Sequence, residues 1–253
     1  MSKVIIEASG PVRTIWMNRP EKRNALDRDM RHNLTDALGA PVAPDHRVVV
    51  IRGKGDVFCS GLDMAERRAT AETGEASGID GMLRAIELCP LPVVAVVQGD
   101  AIAGGNELAL HCDLVVASEH ARFGMSLAQV GLAPNWFLAK KLMEVLGPVT
   151  TREMLLLGDP LPATRLHALG LIARCVPADQ LETEAARVIN RLAANAPLSL
   201  KAMKALTVRQ LEFRDAIPHD DVDALVRAAL SSEDAREGML ARLEKRSAKF
   251  QGR

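Results

Sequence analysis

Residues 101–113 read AIAGGNELALHCD, with one carboxylate, Glu107, following two adjacent glycines into an apolar helical run. A helix that begins near Gly104 leaves its first N–H groups without intrahelical partners. Gly104 and Gly105 let the backbone turn sharply and let a ligand approach the main chain. Helical side chains lean toward the helix N-terminus, so Glu107, one turn in, is delivered close to whatever those amides grip. A second free N–H comes from Leu62, just after Gly61 in the segment VFCSGLDMAE (57–66). Two such donors make an oxyanion hole, each contributing about 3–4 kcal/mol to a transition state in which negative charge develops. The chemistry so described is a base beside an anion trap. Spacing alone slightly favours a plainer role for Glu107, an acid that complements the helix dipole for about 0.3–1 kcal/mol.

A third segment, ARFGMSLAQVGLAP (121–134), is another strand-to-loop passage. All three segments are expected to end at one edge of a sheet, where α/β folds collect ligands. His111 lies one helical turn after Glu107 and is placed either to orient it or to serve as a satisfied core residue. Other chemistries find less support. Gly124-Met125-Ser126-Leu127-Ala128 is a degraded nucleophile elbow, and His167 and His219 carry no supporting motif. No Gly-Lys-Ser/Thr follows the glycines, and their spacing does not fit a dinucleotide fingerprint. The chain contains no tyrosine, so no phenol can act as a catalytic acid.

The elements that must position these residues are legible in part. VIIEAS and VRTIWM predict a hairpin across Gly10-Pro11. Asn24 is expected to cap a helix from Ala25, with Leu26, Met30, Leu34 and Leu38 on its apolar face. VVVIRG (48–53), VVAVVQG (93–99) and DLVVAS (113–118) are the β-branched runs of strands buried on both faces. Residues 65–78 predict a mobile loop or frayed helix. After Pro134 strand signals fade and helices are expected at 137–146, 150–157, 163–169, 179–195, 198–213 and 233–248. The division is a core over 1–195 and a helical region over 196–253, whose apolar faces pack on the same chain or on a neighbouring subunit.

Composition bounds the partners. Charges balance at 32 basic against 32 acidic residues, which leaves no footprint of a nucleic-acid binder. No apolar run is long enough to cross a bilayer, and the N-terminal apolar stretch is too short for a signal peptide. The four cysteines are far apart, without metal-like pairs or a disulfide framework, which points to a reducing cytoplasm and to no metal.

Linked motifs along almost the whole chain resemble the crotonase (enoyl-CoA hydratase/isomerase) superfamily. They are NRPEKRNAL (18–26), VFCSGLDMAE (57–66), PVVAVVQGDAIAGGNELALHCDLVVAS (92–118), ARFGMSLAQVGLAP (121–134), LLGDPLPATRLHALGLI (156–172), NAPLSLKAMK (195–204) and SEDAREGMLARLEKRSAKFQG (232–252). The resemblance implies an α/β fold, a crotonase-like spiral of ββα units with a C-terminal α-helical trimerisation region. It implies acyl thioesters of coenzyme A as substrates, coenzyme A entering only as part of the substrate and no cofactor held permanently. It implies a homotrimer or hexamer with no nucleic-acid or membrane partner. By position, the oxyanion-hole amides are those of Leu62 and Gly104, with Glu107 as the acid/base. Ser60, Gly61, Asp63 and Met64 line the coenzyme A moiety, with Lys22 or Arg23 near its phosphates or adenine. Lys245 matches a family lysine that reaches coenzyme A, although Arg242 stands where an aromatic is usual. From the residue types themselves, Asp63 and Asp113 read as turn and cap acids, and Lys22, Arg23 and Lys245 fit solvated surface charges equally well.

One departure bears on the reaction. Family hydratases use two glutamates; Glu107 matches the first, and Leu127 stands at the second. Losing one member of such a pair costs on the order of 10²–10⁴-fold. Isomerisation or an atypical lyase reaction is therefore expected in preference to efficient hydration. Loss of carbon dioxide from a malonyl-type thioester is an alternative, because MSLAQVGLAPNW and SEDAREGM resemble the methylmalonyl-CoA decarboxylase branch. That branch carries a histidine where Leu62 stands and a tyrosine near Asn135. A catalytically weak acyl-CoA binder is the other alternative, and Glu66, Glu72 or Glu75 are candidates to replace the missing glutamate. Met125, Leu127, Asn135 and Trp136 are expected to line the acyl pocket, Trp136 either reshaping it or packing a helix start.

Overall fold

The computed structural model describes residues 2–73 and 78–253. Strands β1 (Val4–Ser9) and β2 (Val12–Met17) form the expected antiparallel hairpin. The next helix, α1 (Arg28–Gly39), starts later than the sequence predicts: Asp27, not Asn24, caps it by accepting from the Met30 N–H at 3.0 Å. Asn24 is fully buried and does other work. Its Nδ2 donates to the carbonyls of Lys54 and Val57, and its Oδ1 accepts from the Arg19 N–H. A capping residue type thus serves to clamp two loops.

There follow β3 (Val48–Gly53), α2 (Met64–Thr73), α3 (Ile79–Leu88), β4 (Val93–Val97), β5 (Ala101–Ile102), α4 (Gly104–His111), β6 (Leu114–Ser118) and β7 (Arg122–Gly124). Then α5 spans Trp136–Leu156, β8 Leu161–Pro162, α6 Ala163–Ala168, β9 Arg174–Val176 and α7 Leu181–Ala193. The chain ends with α8 (Pro197–Leu211), α9 (Asp220–Ser231) and α10 (Glu233–Leu243). The two helices expected at 137–146 and 150–157 are the halves of α5, broken at Gly147 with φ 65° before Pro148. Of the stretch expected as a mobile loop or frayed helix, 65–73 belongs to α2 and 74–77 lies outside the described residues, while α3 and α9 have no counterpart in the sequence reading.

The main sheet has the order β1-β2-β3-β4-β6-β9, parallel from β2 onward. Both faces of its middle strands are covered, which is why β3, β4 and β6 are almost wholly apolar. Ile15, Met17, Val49, Ile51, Ala95 and Val97 face α1, α3 and α4, while Val48, Val50, Val94, Val96 and Val116 pack against Leu181, Ala185, Val188 and Ile189 of α7. A second sheet, β5-β7-β8, crosses the ends of these strands. The units β4–β5–α4 and β6–β7–α5 repeat one strand–strand–helix pattern, the expected ββα spiral. Beyond Val176 the chain is helical. Its last helix returns to the core, where a Cβ on Gly131 would stand 2.6 Å from the Asp234 carbonyl oxygen. No helix among the described residues is long and apolar enough to cross a membrane.

Candidate active site

The three chemistry-bearing segments converge, and the second sheet joins them. Cys59 bridges Ala101, and Ala101 pairs with Phe123. The Cys59 carbonyl accepts from the Ile102 N–H at 2.9 Å, and the Ala103 N–H donates to the Gly124 carbonyl at 2.7 Å. The expected meeting place was one edge of a single sheet; the observed one is this small accessory sheet, which turns each segment out of the main sheet.

Gly61 adopts φ +91°, and a Cβ there would stand 2.9 Å from the Ile102 carbonyl oxygen and 3.0 Å from the Gly104 nitrogen. Only a glycine allows this approach, and it sets the turn that presents Leu62 beside the start of α4. A Cβ on Gly105 would meet the Cys59 carbonyl, so a second glycine lets the two segments touch. Among the described residues, neither the Leu62 N–H nor the Gly104 N–H finds a protein acceptor. Leu62 is held by its neighbours, for the Leu26 N–H donates to the Gly61 carbonyl at 2.8 Å and the Asp63 N–H to the Leu26 carbonyl at 3.2 Å.

Glu107 is fully buried, and neither carboxyl oxygen has a hydrogen-bond partner. Burial pushes its carboxyl well above the ordinary carboxylate range; the Lys141 ammonium pulls it back and Asp80 pushes it further up. His111 donates from Nδ1 to the Glu107 carbonyl oxygen at 2.7 Å, with Nδ1 3.6 Å from Oε2. Its ring lies 5.3 Å from that of Phe137, and burial pushes it down to about 3, so the imidazole is neutral at ordinary pH. Asn106, between Gly105 and Glu107, is buried with both side-chain polar atoms unpartnered.

The remaining site residues divide into those stitched to this centre and those apart from it. The Ser60 N–H donates to the Arg23 carbonyl at 3.0 Å and the Cys59 thiol to the Asn24 carbonyl, which sets the Lys22–Arg23 loop against Ser60, Gly61, Asp63 and Met64. Lys22 is exposed, and Arg23 reaches Asp100 at 3.4 Å. Asp63 accepts from the Ala65 N–H and pairs with Arg19 at 3.1 Å, a cap acid as its position suggests. Asp113 holds the Val93 N–H and Lys204, each at 2.7 Å. Lys245 is exposed at the end of the chain, beside a surface cleft with Arg242 and Gln129.

On the acyl side Met125 is buried and Leu127 is half-buried against the core. Asn135 caps α5 through the Leu138 N–H at 2.9 Å and donates to Asp80 at 2.7 Å. Trp136 is engaged elsewhere, its indole N–H on the Arg214 carbonyl at 3.2 Å and its ring stacked on His219 at 4.4 Å. Of the candidate replacement acids, Glu66 is tied to the Arg28 N–H and to Arg31 at 2.7 Å, and Glu72 and Glu75 lie outside the described side chains. Sequence reasoning missed Asp80 and Lys141. Lys141 lies one turn into α5, pairs with Glu87 at 2.6 Å and carries the one cation that acts on both Glu107 and His111 among their main causes.

The family model described as Enoyl-CoA hydratase/isomerase matches residues 7–253. Enoyl-CoA hydratase EchA19 of Mycobacterium tuberculosis is 31% identical over 98% of this chain and 96% of its own length. The solved structure of an enoyl-CoA hydratase from Mycobacterium avium subsp. paratuberculosis K-10 superposes with a TM-score of 0.85 at 31% identity, covering 99% of each chain. A methylmalonyl CoA decarboxylase complexed with 2S-carboxypropyl CoA superposes with a TM-score of 0.90 at 25% identity, covering 100% of this chain and 99% of that one. With a match that runs from residue 7 to the end and relatives of this likeness along nearly their full length, the chain belongs to the enoyl-CoA hydratase/isomerase family.

Proposed function

We propose that the protein forms and reprotonates the enolate of an acyl-CoA thioester, with Glu107 as acid/base and the Leu62 and Gly104 amides as the oxyanion hole. The observation that carries this is a buried carboxyl without partners, one turn from an unpaired N–H that abuts Gly61. Glu107 takes a proton from the carbon next to the thioester, the C–H pair passes toward the carbonyl, and the charge settles on an oxygen that two fixed amides receive. Each amide contributes about 3–4 kcal/mol to that step.

Double-bond isomerisation is favoured over hydration, because Leu127 can neither hold water nor carry a proton. Ser60, Gly61, Asp63, Met64, Lys22 and Arg23 form the coenzyme A face, and Lys245 contributes from the chain's end. Met125, Leu127 and Asn135 shape the acyl side. The exposed apolar residues Leu198, Met203, Leu206 and Phe213 of the helical region suit a homotrimer or hexamer, and four free cysteines suit the cytoplasm.

Decarboxylation of a malonyl-type thioester is the second reading, favoured by the close superposition on the methylmalonyl CoA decarboxylase structure. A panel of acyl-CoA thioesters read by mass spectrometry separates the two. An unchanged mass with a moved double bond supports isomerisation, loss of carbon dioxide supports the decarboxylase, and rapid gain of water contradicts both. Binding without any conversion leaves a catalytically weak acyl-CoA binder.

A further inference from the structure

Asp80 lies near the start of α3, and its two carboxylate oxygens differ. Oδ2 accepts from the Asn135 carboxamide at 2.7 Å, whereas Oδ1 is buried and has no hydrogen-bond partner among the described residues. A carboxylate oxygen shut away from water without a donor is costly to the fold. Its surroundings are those of the site. Helix α3 packs on α4, and the Cδ1 of Ile79, the preceding residue, lies 2.8 Å from where a Cβ on Gly104 would stand. Gly104 and Glu107 are three residues apart on α4 and share a face. The helix start that carries Asp80 thus packs beside the face that carries Glu107, and the Asp80 charge acts on that carboxyl. The anchor of Asp80, Asn135, belongs to the loop that follows Leu127, so the position without a carboxyl and the residue that holds one are near in sequence.

We propose that Asp80 is the second acid–base group of the site, supplying the carboxyl that Leu127 lacks and delivering a proton to the acyl carbon remote from the one that Glu107 deprotonates. The proposal rests on the reading of Glu107 as the base. Asp80 is half-buried, and burial raises its carboxyl above the ordinary range, which suits it to carry a proton while Glu107 is ionised. With a 3-enoyl thioester, the Glu107 carboxylate takes the C2 proton, and the electron pair enters a dienolate whose charge rests on the thioester oxygen. The dienolate then takes the Asp80 proton: the C3=C4 pair forms the new C4–H bond, the C1=C2 pair becomes C2=C3, and the carbonyl re-forms. Asp80 is left as carboxylate and Glu107 as acid, and one proton passing from Glu107 to Asp80 resets the pair.

The test uses the full chain in deuterium oxide with two thioesters. Conversion of 3-butenoyl-CoA to crotonyl-CoA is followed by absorbance, with deuterium at C4 read by mass spectrometry. Exchange at C2 of saturated butanoyl-CoA reports Glu107 alone. Asp80→Asn keeps the size and the bond to Asn135, and melting checks its fold. The expected result is a fall in conversion on the order of 10²-fold, with C2 exchange within about threefold of wild type; Glu107→Gln loses both. Wild-type conversion and C4 labelling in Asp80→Asn overturn the proposal and leave the Glu107 reading intact. A folded Asp80→Asn that loses C2 exchange as well overturns the division of labour. A wild type that exchanges C2 but converts no 3-enoyl thioester overturns the Asp80 step alone, and one that does neither overturns both.

Discussion

His111 Nδ1 donates to the main-chain carbonyl of Glu107 at 2.7 Å, although the Glu107 carboxyl oxygen Oε2 lies only 3.6 Å away. Both groups are fully buried on one turn of α4. The histidine thus spends its N–H on the backbone and remains neutral, and the carboxyl is left with no donor at all. Helix geometry permits this, since the i+4 side chain leans back toward the carbonyl of the preceding turn. The outcome is a carboxyl kept free of protein partners, as a proton-transfer group must be.

That freedom has a cost which pH reveals. Burial raises the Glu107 carboxyl in the folded state, so between the ordinary carboxylate range and this raised value the native protein binds more protons than the unfolded chain. Stability then falls as pH rises through that window. Glu107→Gln carries no such charge, and its melting temperature is expected to match wild type near pH 4 and exceed it at pH 8. A gain of about 1 kcal/mol corresponds to about 2–4 °C in a chain of this size. Thermal melts of both proteins across that range check it.

Gly61→Ala is expected to strike stability and activity together. At φ +91° a side chain costs about 1–3 kcal/mol, and the added methyl would crowd the Ile102 carbonyl and the Gly104 nitrogen. Relief of the clash turns the Leu62 N–H away, and turnover is expected to fall on the order of 10²-fold or more. Steady-state rates and melting on the same preparation provide the check.

Lys141→Met separates charge from contact. Removing the ammonium takes the 2.6 Å partner from the buried Glu87 and leaves it Arg84 at 3.5 Å, so the cost stays below the about 3–5 kcal/mol of a buried charge left with no partner. Two charged groups act on Glu107, Lys141 lowering it and Asp80 raising it, while neutral His111 contributes no charge. Without Lys141 the carboxyl rises further, so the acid limb of the pH–rate profile is expected to move to higher pH. An unmoved limb in a folded variant would show that Lys141 serves stability only.

Leu127→Glu tests the reading of this position as the place of a second hydratase glutamate. Leu127 is half-buried and packs against the core, so the variant is expected to melt lower. Water addition to crotonyl-CoA is expected to rise about 10-fold or more, followed as loss of the conjugated absorbance.

Legibility in the sequence followed the physics that made each element. β3, β4 and β6 could be read because strands buried on both faces are uninterrupted β-branched runs. Gly61, Gly104 and Glu107 could be read because turn chemistry and helix-start geometry are local. Asn24 was misjudged because its type suits a cap, whereas its use is to clamp two loops that only the tertiary fold brings near. Asp80 left no signal: Gly78 begins its helix without a side-chain cap, and Asn135, the residue that fixes it, is 55 positions away. For Trp136 the sequence leaves acyl lining and helix-start packing open, because its partners Arg214 and His219 come from the far end of the chain.

The central claim is that the main-chain amides of Leu62 and Gly104 receive the thioester oxygen. A crystal structure with a non-reactive acyl-CoA thioester analogue measures this directly. The account predicts the carbonyl oxygen at about 2.7–3.1 Å from both nitrogens, with the Glu107 carboxyl facing C2. A thioester oxygen bound elsewhere, with either nitrogen turned away or paired with protein, would contradict it.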